Sequence, residues 1–267
     1  MKLVDSFLYF IVCWCIFLIV GIVVSSVGNW IVPDYAWKLF VNILPIIIFA
    51  LVYILIWKFI LERKFAFFSW RDFTVPLQDK IWIPLLFLVI GIQIFVQPFL
   101  DIYHDIRFPD IPNLKGSPGV KFDSEFIMTL IPTLIIAPIF EELLFRKVFF
   151  KQMLKENTLM TSLLVSSFYF SLIHLPMANK LVSTFLVGCT SALIYYRTGK
   201  IMYSILFHFV NNLFALIGQF YLVDLWNTFY DLKYNLWYWL IFGLGTLLFL
   251  VAAQIFWRNT EKTRENL

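Results

Sequence analysis

The sequence predicts an all-α, polytopic membrane protein with about eight transmembrane helices and a buried polar cavity. Of its 267 residues, 61% are hydrophobic, 20% are aromatic and only 14% are charged, which exceeds the apolar content of soluble globular domains. Uncharged segments are long enough to cross about 30 Å of hydrocarbon, which takes roughly 20 helical residues. Barrel strands would alternate polar and apolar residues instead. The unbroken apolar runs therefore favour helices.

The hydrophobic pattern places the expected helices at 6–31, 39–61, 81–103, 124–150, 157–178, 181–197, 201–222 and 234–257. The first run is too long for a cleaved signal peptide and lacks a clear cleavage site, so we expect it to be retained. Asn157 is the expected N-cap of the fifth helix. We divide the chain into 1–123 with three helices and an outer loop, a core of four helices at 124–222, and a final helix with a charged tail at 223–267.

Basic residues predict how the helices are oriented. An even number of spans puts both termini on one side, and cytoplasmic segments are enriched in Lys and Arg. If both termini are cytoplasmic, the outer segments hold only a minority of the 21 basic residues. The segment 101–125 contains several Pro and Gly residues and is expected to be an irregular outer loop. The outer basic residues are Lys38, Arg107, Lys115, Lys121, Lys180 and Lys233.

Polar side chains interrupt three of the later apolar runs. A charged group in hydrocarbon is costly, so intramembrane acids usually face the protein interior and serve function. These polar groups predict a functional site that is buried in the membrane, and the modest net charge of +4 gives no indication of nucleic-acid binding. They are Glu141, Glu142 and Arg146 in the fourth span, His174 in the fifth, and His208 and Asn212 in the seventh.

Helix geometry predicts that these groups share one depth. If the fourth and fifth helices form a hairpin that turns near residue 157, Glu141 and His174 both lie about 25 Å from the turn. The hairpin projects about 15 Å beyond the bilayer, so only the rest of that distance lies inside the membrane. His208 lies about 12 Å into its own helix and therefore reaches a similar level. The shared level is in the cytoplasmic half of the membrane. Glu142 and Arg146 are spaced i, i+4 and can pair.

These residues resemble the family of CAAX proteases and bacteriocin-processing enzymes, also called abortive-infection-type membrane proteases. The family's three motifs match in order within 124–222, at 141–146, 170–174 and 208–212. The resemblance implies hydrolysis of a peptide bond in or near the membrane. The expected surroundings are membrane lipid, a peptide or protein substrate with a membrane-associated segment, and a multi-pass location in a bacterial cell membrane.

The resemblance also implies roles for individual residues. Glu141 is expected to activate water with help from His174, whereas His208 and Asn212 are expected to bind the oxyanion. Glu142 and Arg146 are expected to be structural support.

Alternatives stay open at this point. Glu141, His174 and His208 could instead bind zinc, as in several metalloproteases, but the His-Glu-x-x-His helix of those enzymes is absent. Asn212 favours the metal-free route because it suits an oxyanion better than zinc. The chain could also be a non-catalytic protein of bacteriocin self-immunity or regulation. A proton-coupled transporter is disfavoured because no inverted repeat is obvious.

Overall fold

The computed structural model describes residues 1–33, 79–110, 130–175 and 177–260, with 40, 44, 48, 51, 52, 54 and 55 as single positions. These residues form helices and no strand, so the all-α fold class is confirmed. Most of the predicted second span at 39–61 and the loop segment 111–125 lie outside the described residues.

Four stretches of the described chain are long and apolar enough to cross a membrane by length and composition. They are Leu3–Ile31, Lys80–Arg107, Ile201–Phe220 and Leu236–Asn259. A multi-span helical membrane fold follows, while the count of eight spans stays a prediction. In chain order the helices are α1 (Leu3–Ile31), α2 (Asp79–Phe95), α3 (Gln97–Arg107), α4 (132–154), α5 (Leu159–Leu172), α6 (Leu181–Thr198), α7 (Ile201–Phe220), α8 (Val223–Asp231) and α9 (Leu236–Asn259).

The expected outer loop starts later than predicted. Residues 101–107 belong to helix α3, which is separated from α2 only by Val96. Pro98 lies in the first turn of α3, where a missing N–H is tolerated at a helix start but interrupts a longer helix. The Pro and Gly residues that predicted the loop all follow residue 107. The prediction began too early because it started the loop at Asp101, where the uncharged run ends.

Helix α5 is shorter than its predicted span. It ends at Leu172, and His174 follows in a turn in which its N–H bonds the Ser171 carbonyl at 3.0 Å. The sequence places Pro176 two residues later, and proline disfavours helix in the residue before it. At the other end of α5, the expected Asn157 cap is wrong. Thr158 accepts the N–H of Thr161 at 3.2 Å, while the Asn157 amide bonds back to the Met153 carbonyl.

Helix α4 carries the two adjacent glutamates between two π-helical segments. The segments are Pro132–Ile136 and Leu143–Phe150, and α-helical Ala137–Glu142 joins them. A π turn bonds residues five apart and widens the helix locally, a feature that is frequent at functional sites. Helix α7 contacts α2, α4 and α6, so it lies beside the wide part of α4.

Two glycines allow α2 and α9 to pack closely. A Cβ on Gly91 would lie 2.8 Å from the Phe249 backbone, and one on Gly245 would lie 2.4 Å from the Ile94 side chain. Small residues at such contacts let membrane helices approach until their backbones nearly touch. The contact fixes α2, whose inner face forms part of the site described below.

Helix α3 is tied to the turn between α8 and α9. Asp105 accepts hydrogen bonds from Tyr230 at 2.5 Å and Tyr234 at 2.6 Å. Lys233 and Tyr234 have φ values of 47° and 59°, a left-handed conformation that non-glycine residues keep only when their surroundings hold it. Burial raises the pKa of Tyr230, and its hydrogen bond to Asp105 raises it further, so this phenol remains a donor at neutral pH.

Candidate active site

Glu142 is the centre of a buried polar cluster. Its carboxylate accepts hydrogen bonds from Arg146 Nε at 2.8 Å and Arg146 Nη2 at 3.3 Å. The hydroxyl of Ser191 also donates to Glu142, and His208 Nδ1 lies 3.1 Å from Glu142 Oε1. Glu142 and Arg146 are 0% exposed. A buried ion pair is tolerated when further hydrogen bonds satisfy its remaining atoms. Ser191 and His208 supply them to Glu142, whereas Arg146 Nη1 has no hydrogen-bond partner among the described residues.

Glu141 has a very different environment. It is 7% exposed, and its Oε2 has no hydrogen-bond partner among the described residues. His208 Nε2 lies 3.8 Å from this oxygen, which is beyond hydrogen-bond distance. An unpaired carboxylate oxygen is costly inside a membrane protein. Glu141 Oε2 can therefore accept a hydrogen bond from a water molecule or a substrate.

Backbone and carboxylate acceptors fix the tautomers of the two site histidines. His174 Nδ1 lies 2.9 Å from the Phe170 carbonyl oxygen, which only accepts, so this nitrogen carries the hydrogen. His208 Nδ1 faces the Glu142 carboxylate in the same way. When neutral, each imidazole therefore presents an Nε2 lone pair.

The ring of Phe170 lies between the two histidines. Its centroid is 5.1 Å from that of His174 and 5.5 Å from that of His208, in edge-to-face arrangements. The Arg146 guanidinium carbon is 5.2 Å from the same ring, within the range of a cation–π contact. Phe170 thus links the buried ion pair and both imidazoles through one apolar side chain.

A cavity of about 570 Å³ is lined by Glu141, His174, His208 and Asn212. Its volume falls within the range of ordinary ligand sites. The structure therefore brings together the side chains that the sequence placed at one depth, whereas Glu142 and Arg146 do not line the cavity.

Two adjacent asparagines of α7 connect the cavity wall to different helices. Asn212 Nδ2 donates to the Thr133 carbonyl of α4 at 2.9 Å. Asn211 Oδ1 accepts from Gln93 Nε2 of α2 at 3.0 Å. Asn211, Gln93 and Thr133 all line the cavity, so helices on both sides of α7 contribute to its wall.

Comparison with known proteins finds similarity over the part of the chain that carries these residues. Residues 123–214 match the family model "Type II CAAX prenyl endopeptidase Rce1-like". A curated relative from Bacillus subtilis (strain 168), named "Putative membrane peptidase YdiL", is 33% identical over 92 residues, which are 34% of this chain and 37% of the relative. Residues 123–214 are therefore similar to the CAAX protease family.

The matched region covers only part of either protein. The chain spans a little over a third of the length of this curated relative. No solved structure matches the chain significantly. All the residues of the three sequence motifs lie inside the family region, whereas α2 and α3 lie outside it.

The zinc alternative can be compared with this geometry. A catalytic zinc ion takes three protein ligands. Within the described ranges, no three His, Cys, Asp or Glu side chains are grouped so that they could hold a metal ion. Glu141, His174 and His208 therefore do not form a ready zinc site. The metal-free route stays a prediction.

Sequence reasoning missed several residues of the site. Gln93 carried a usable signal, because it is a polar amide in the uncharged run 81–100. Ser191 carried little, because serine in a membrane helix often bonds its own backbone. Thr133 takes part through its carbonyl, which no side-chain pattern reveals.

Proposed function

We propose that this chain is an intramembrane endopeptidase that hydrolyses a peptide bond of a membrane-associated substrate. The main support is the unpaired Glu141 carboxylate oxygen in a cavity that His174 and His208 also line. The family match of residues 123–214 supports the same reaction class.

In the proposed first step, Glu141 is the general base. A water molecule between Glu141 and the free Nε2 of His174 donates to both, and the carboxylate takes one proton as the water oxygen bonds the substrate carbonyl carbon. General bases of this kind need hydrogen-bond contact with the proton they remove. His174 is suited to hold the water because its Nδ1 is committed to the Phe170 carbonyl.

In the same proposal, His208 and Asn212 stabilise the negative charge that develops on the carbonyl oxygen. His208 already donates Nδ1–H to Glu142, so it can donate from Nε2 only as an imidazolium. The carboxylates of Glu142 and Glu141 lie 3.1 Å and 3.8 Å from its ring nitrogens, and in this scheme they are the oppositely charged neighbours of that imidazolium. One N–H of Asn212 bonds Thr133, which leaves the second for the oxyanion.

The proposed reaction closes when the tetrahedral intermediate collapses. The carbon–nitrogen bond breaks, the carbonyl re-forms, and Glu141 returns its proton to the leaving nitrogen. Glu142 and Arg146 act here as positioning residues, because their pairing sets the orientation of His208. No metal takes part in this scheme.

We propose that the substrate is a peptide or protein with a membrane-associated segment. The predicted depth of Glu141 and His174 puts the cavity in the cytoplasmic half of the membrane. The bias in Lys and Arg predicts that both termini are cytoplasmic. A bacterial cell membrane is the expected location. A substrate segment in the lipid would then reach the cavity from the cytoplasmic half of the membrane.

The test compares wild-type protein with Glu141→Gln and His174→Ala variants in lipid vesicles. We expect kcat for a cleaved membrane peptide to fall by at least about 100-fold in each, because general acid–base catalysis contributes that much or more. The substrate itself is found by comparing membrane peptides from cells that hold wild-type protein or the Glu141→Gln variant. Unfolding temperature and elution volume confirm that each variant is folded.

Three outcomes would contradict the proposal. If the cellular phenotype persists in both folded variants, the non-catalytic alternative is correct, and if both variants keep the peptidase activity, the roles given to Glu141 and His174 are wrong. If the purified protein contains stoichiometric zinc and loses activity with a chelator, the metal-free scheme is wrong even though the peptidase assignment stands.

A further inference from the structure

Pro138 leaves one carbonyl of α4 without a donor from its own helix. In the π segment Pro132–Ile136, the N–H of Ala137 bonds the Pro132 carbonyl, five residues earlier. The next carbonyl, that of Thr133, needs the N–H of residue 138 to continue this pattern, and proline has none. Ala137 would be the α-helical donor to Thr133, but its N–H is already used.

Asn212 supplies the missing donor from another helix. Its Nδ2 donates to the Thr133 carbonyl oxygen at 2.9 Å. Buried backbone acceptors are nearly always paired, because an unmade hydrogen bond costs more than a made one contributes. The side-chain amide of α7 thus completes the backbone bonding of α4.

The location of this bond matters for Glu141. Thr133 lies two turns before Glu141, and the π turn between them contains one residue more than an α turn. If that turn changed to α-helical bonding, every later residue would rotate by about 100° around the helix axis. Glu141 would then leave the cavity, because a rotation of that size is the angle between neighbouring side chains.

We propose that Asn212 is a positioning residue whose amide replaces the missing N–H of Pro138, holds the π turn, and so keeps Glu141 directed into the cavity. The activity readout of this inference rests on the proposed peptidase function. The spectroscopic readout below does not.

The kinetic test is rescue of Asn212→Ala by Pro138→Ala. We expect Asn212→Ala to lower kcat by at least about 100-fold, with a smaller change in KM, because it removes the proposed oxyanion donor and also leaves the part-buried Thr133 carbonyl without its partner. In the double variant, the new N–H of residue 138 can donate to Thr133, so kcat should rise by about fivefold or more above that of Asn212→Ala, but it should stay below that of Pro138→Ala because the proposed oxyanion donor is still missing. If the double variant is as slow as Asn212→Ala, the positioning role is wrong.

Asn211→Ala is the matched control. Asn211 is the neighbouring amide, but it bonds Gln93 of α2 and not α4. Pro138→Ala should therefore leave the defect of Asn211→Ala unchanged. Equal rescue of both asparagine variants would mean that Pro138→Ala acts non-specifically, which would also overturn the inference.

An infrared measurement tests the same bond without any substrate. The protein is labelled with ¹³C at threonine carbonyls, and the Thr133 band is assigned by its loss in Thr133→Ser. Asn212→Ala should shift this band to higher frequency, and adding Pro138→Ala should shift it back. An unmoved band in Asn212→Ala would overturn the inference even if peptidase activity is present. A shifted and restored band would support it even if the chain cleaves no peptide.

Discussion

At the scale of single residues, two adjacent glutamates differ in how many partners each has. Glu142 is bonded to Arg146, Ser191 and His208, whereas Glu141 Oε2 has no hydrogen-bond partner in the part of the chain that the structure describes. Full pairing favours a permanent negative charge, and an unpaired oxygen can exchange a proton during a reaction. The environment therefore divides the two carboxylates between support and chemistry.

The buried pair makes a prediction about stability. Arg146→Met leaves Glu142 charged and buried without its cation, and breaking such a pair costs about 3–5 kcal/mol. Adding Glu142→Gln removes the uncompensated charge, so the double variant should be more stable than Arg146→Met alone. Denaturant unfolding in detergent micelles measures both. Lys155→Met, at an exposed position after α4, is the control and should change stability by less than about 0.5 kcal/mol. A double variant less stable than the single one would contradict this account.

Some of these contacts could be predicted from sequence and others could not. The Glu142–Arg146 pair follows from i, i+4 spacing, which depends only on local helix geometry. The contact between His208 and Glu142 depends on how α7 and α4 are rotated against each other. The spacing of residues within one helix does not determine that rotation, so the contact of Ser191 with Glu142 was also missed.

At the scale of helices, the close α2–α9 contact depends on two glycines, which have no side chain. Gly91→Ala would place a Cβ against the Phe249 backbone, which cannot move aside as a flexible side chain can. We expect a loss of about 1–3 kcal/mol, as overpacking of a close contact usually costs. Thermal unfolding of the purified protein measures it.

Gly243→Ala is the matched control for that prediction. It lies in α9 like Gly245, but nothing is within 4 Å of the Cβ that the change would add. Alanine also has a higher helix propensity than glycine, so this variant should be neutral or slightly more stable. A Gly91→Ala variant as stable as Gly243→Ala would show that α2 and α9 do not pack as described.

The sequence predicted most helices but not their irregular parts. Long uncharged runs indicated α1, α2, α7 and α9 because lipid selects for continuous apolar length. The π turns of α4 were not predicted: Pro132 and Pro138 suggested a kink, and proline alone does not determine how the neighbouring carbonyls are satisfied. Helix α8 is short, at Val223–Asp231, and it lies between the predicted spans 201–222 and 234–257, where no helix was expected.

At the scale of the whole molecule, the site is larger than the family region. Gln93, Val96 and Leu100 line the cavity, yet they belong to α2, α3 and the junction between them, before the matched residues 123–214. The ties that hold these two helices, the Gly91 contact and the Asp105 hydrogen bonds, also lie outside that region. Part of the cavity wall is therefore built by chain that the family motifs do not describe.

The predicted orientation in the membrane can be tested with single cysteines. Cys13, Cys15 and Cys189 are replaced by serine or alanine, and cysteine is introduced at Glu156 or Asp231, both exposed. The bias in Lys and Arg predicts that residue 156 is cytoplasmic and residue 231 is outside. A membrane-impermeant maleimide added to intact cells should label position 231 only. Labelling of both positions, or of 156 alone, would contradict the predicted orientation.

The position of Gln93 bears on how selective an inhibitor of this protein can be. A compound that binds only Glu141 and the two imidazoles would meet the same chemistry in any relative that carries the three motifs. A compound that also forms hydrogen bonds to the Gln93–Asn211 amide pair would depend on a side chain from α2, which lies outside the matched residues 123–214. Medicinal chemistry aimed at one member should therefore extend the ligand toward that wall.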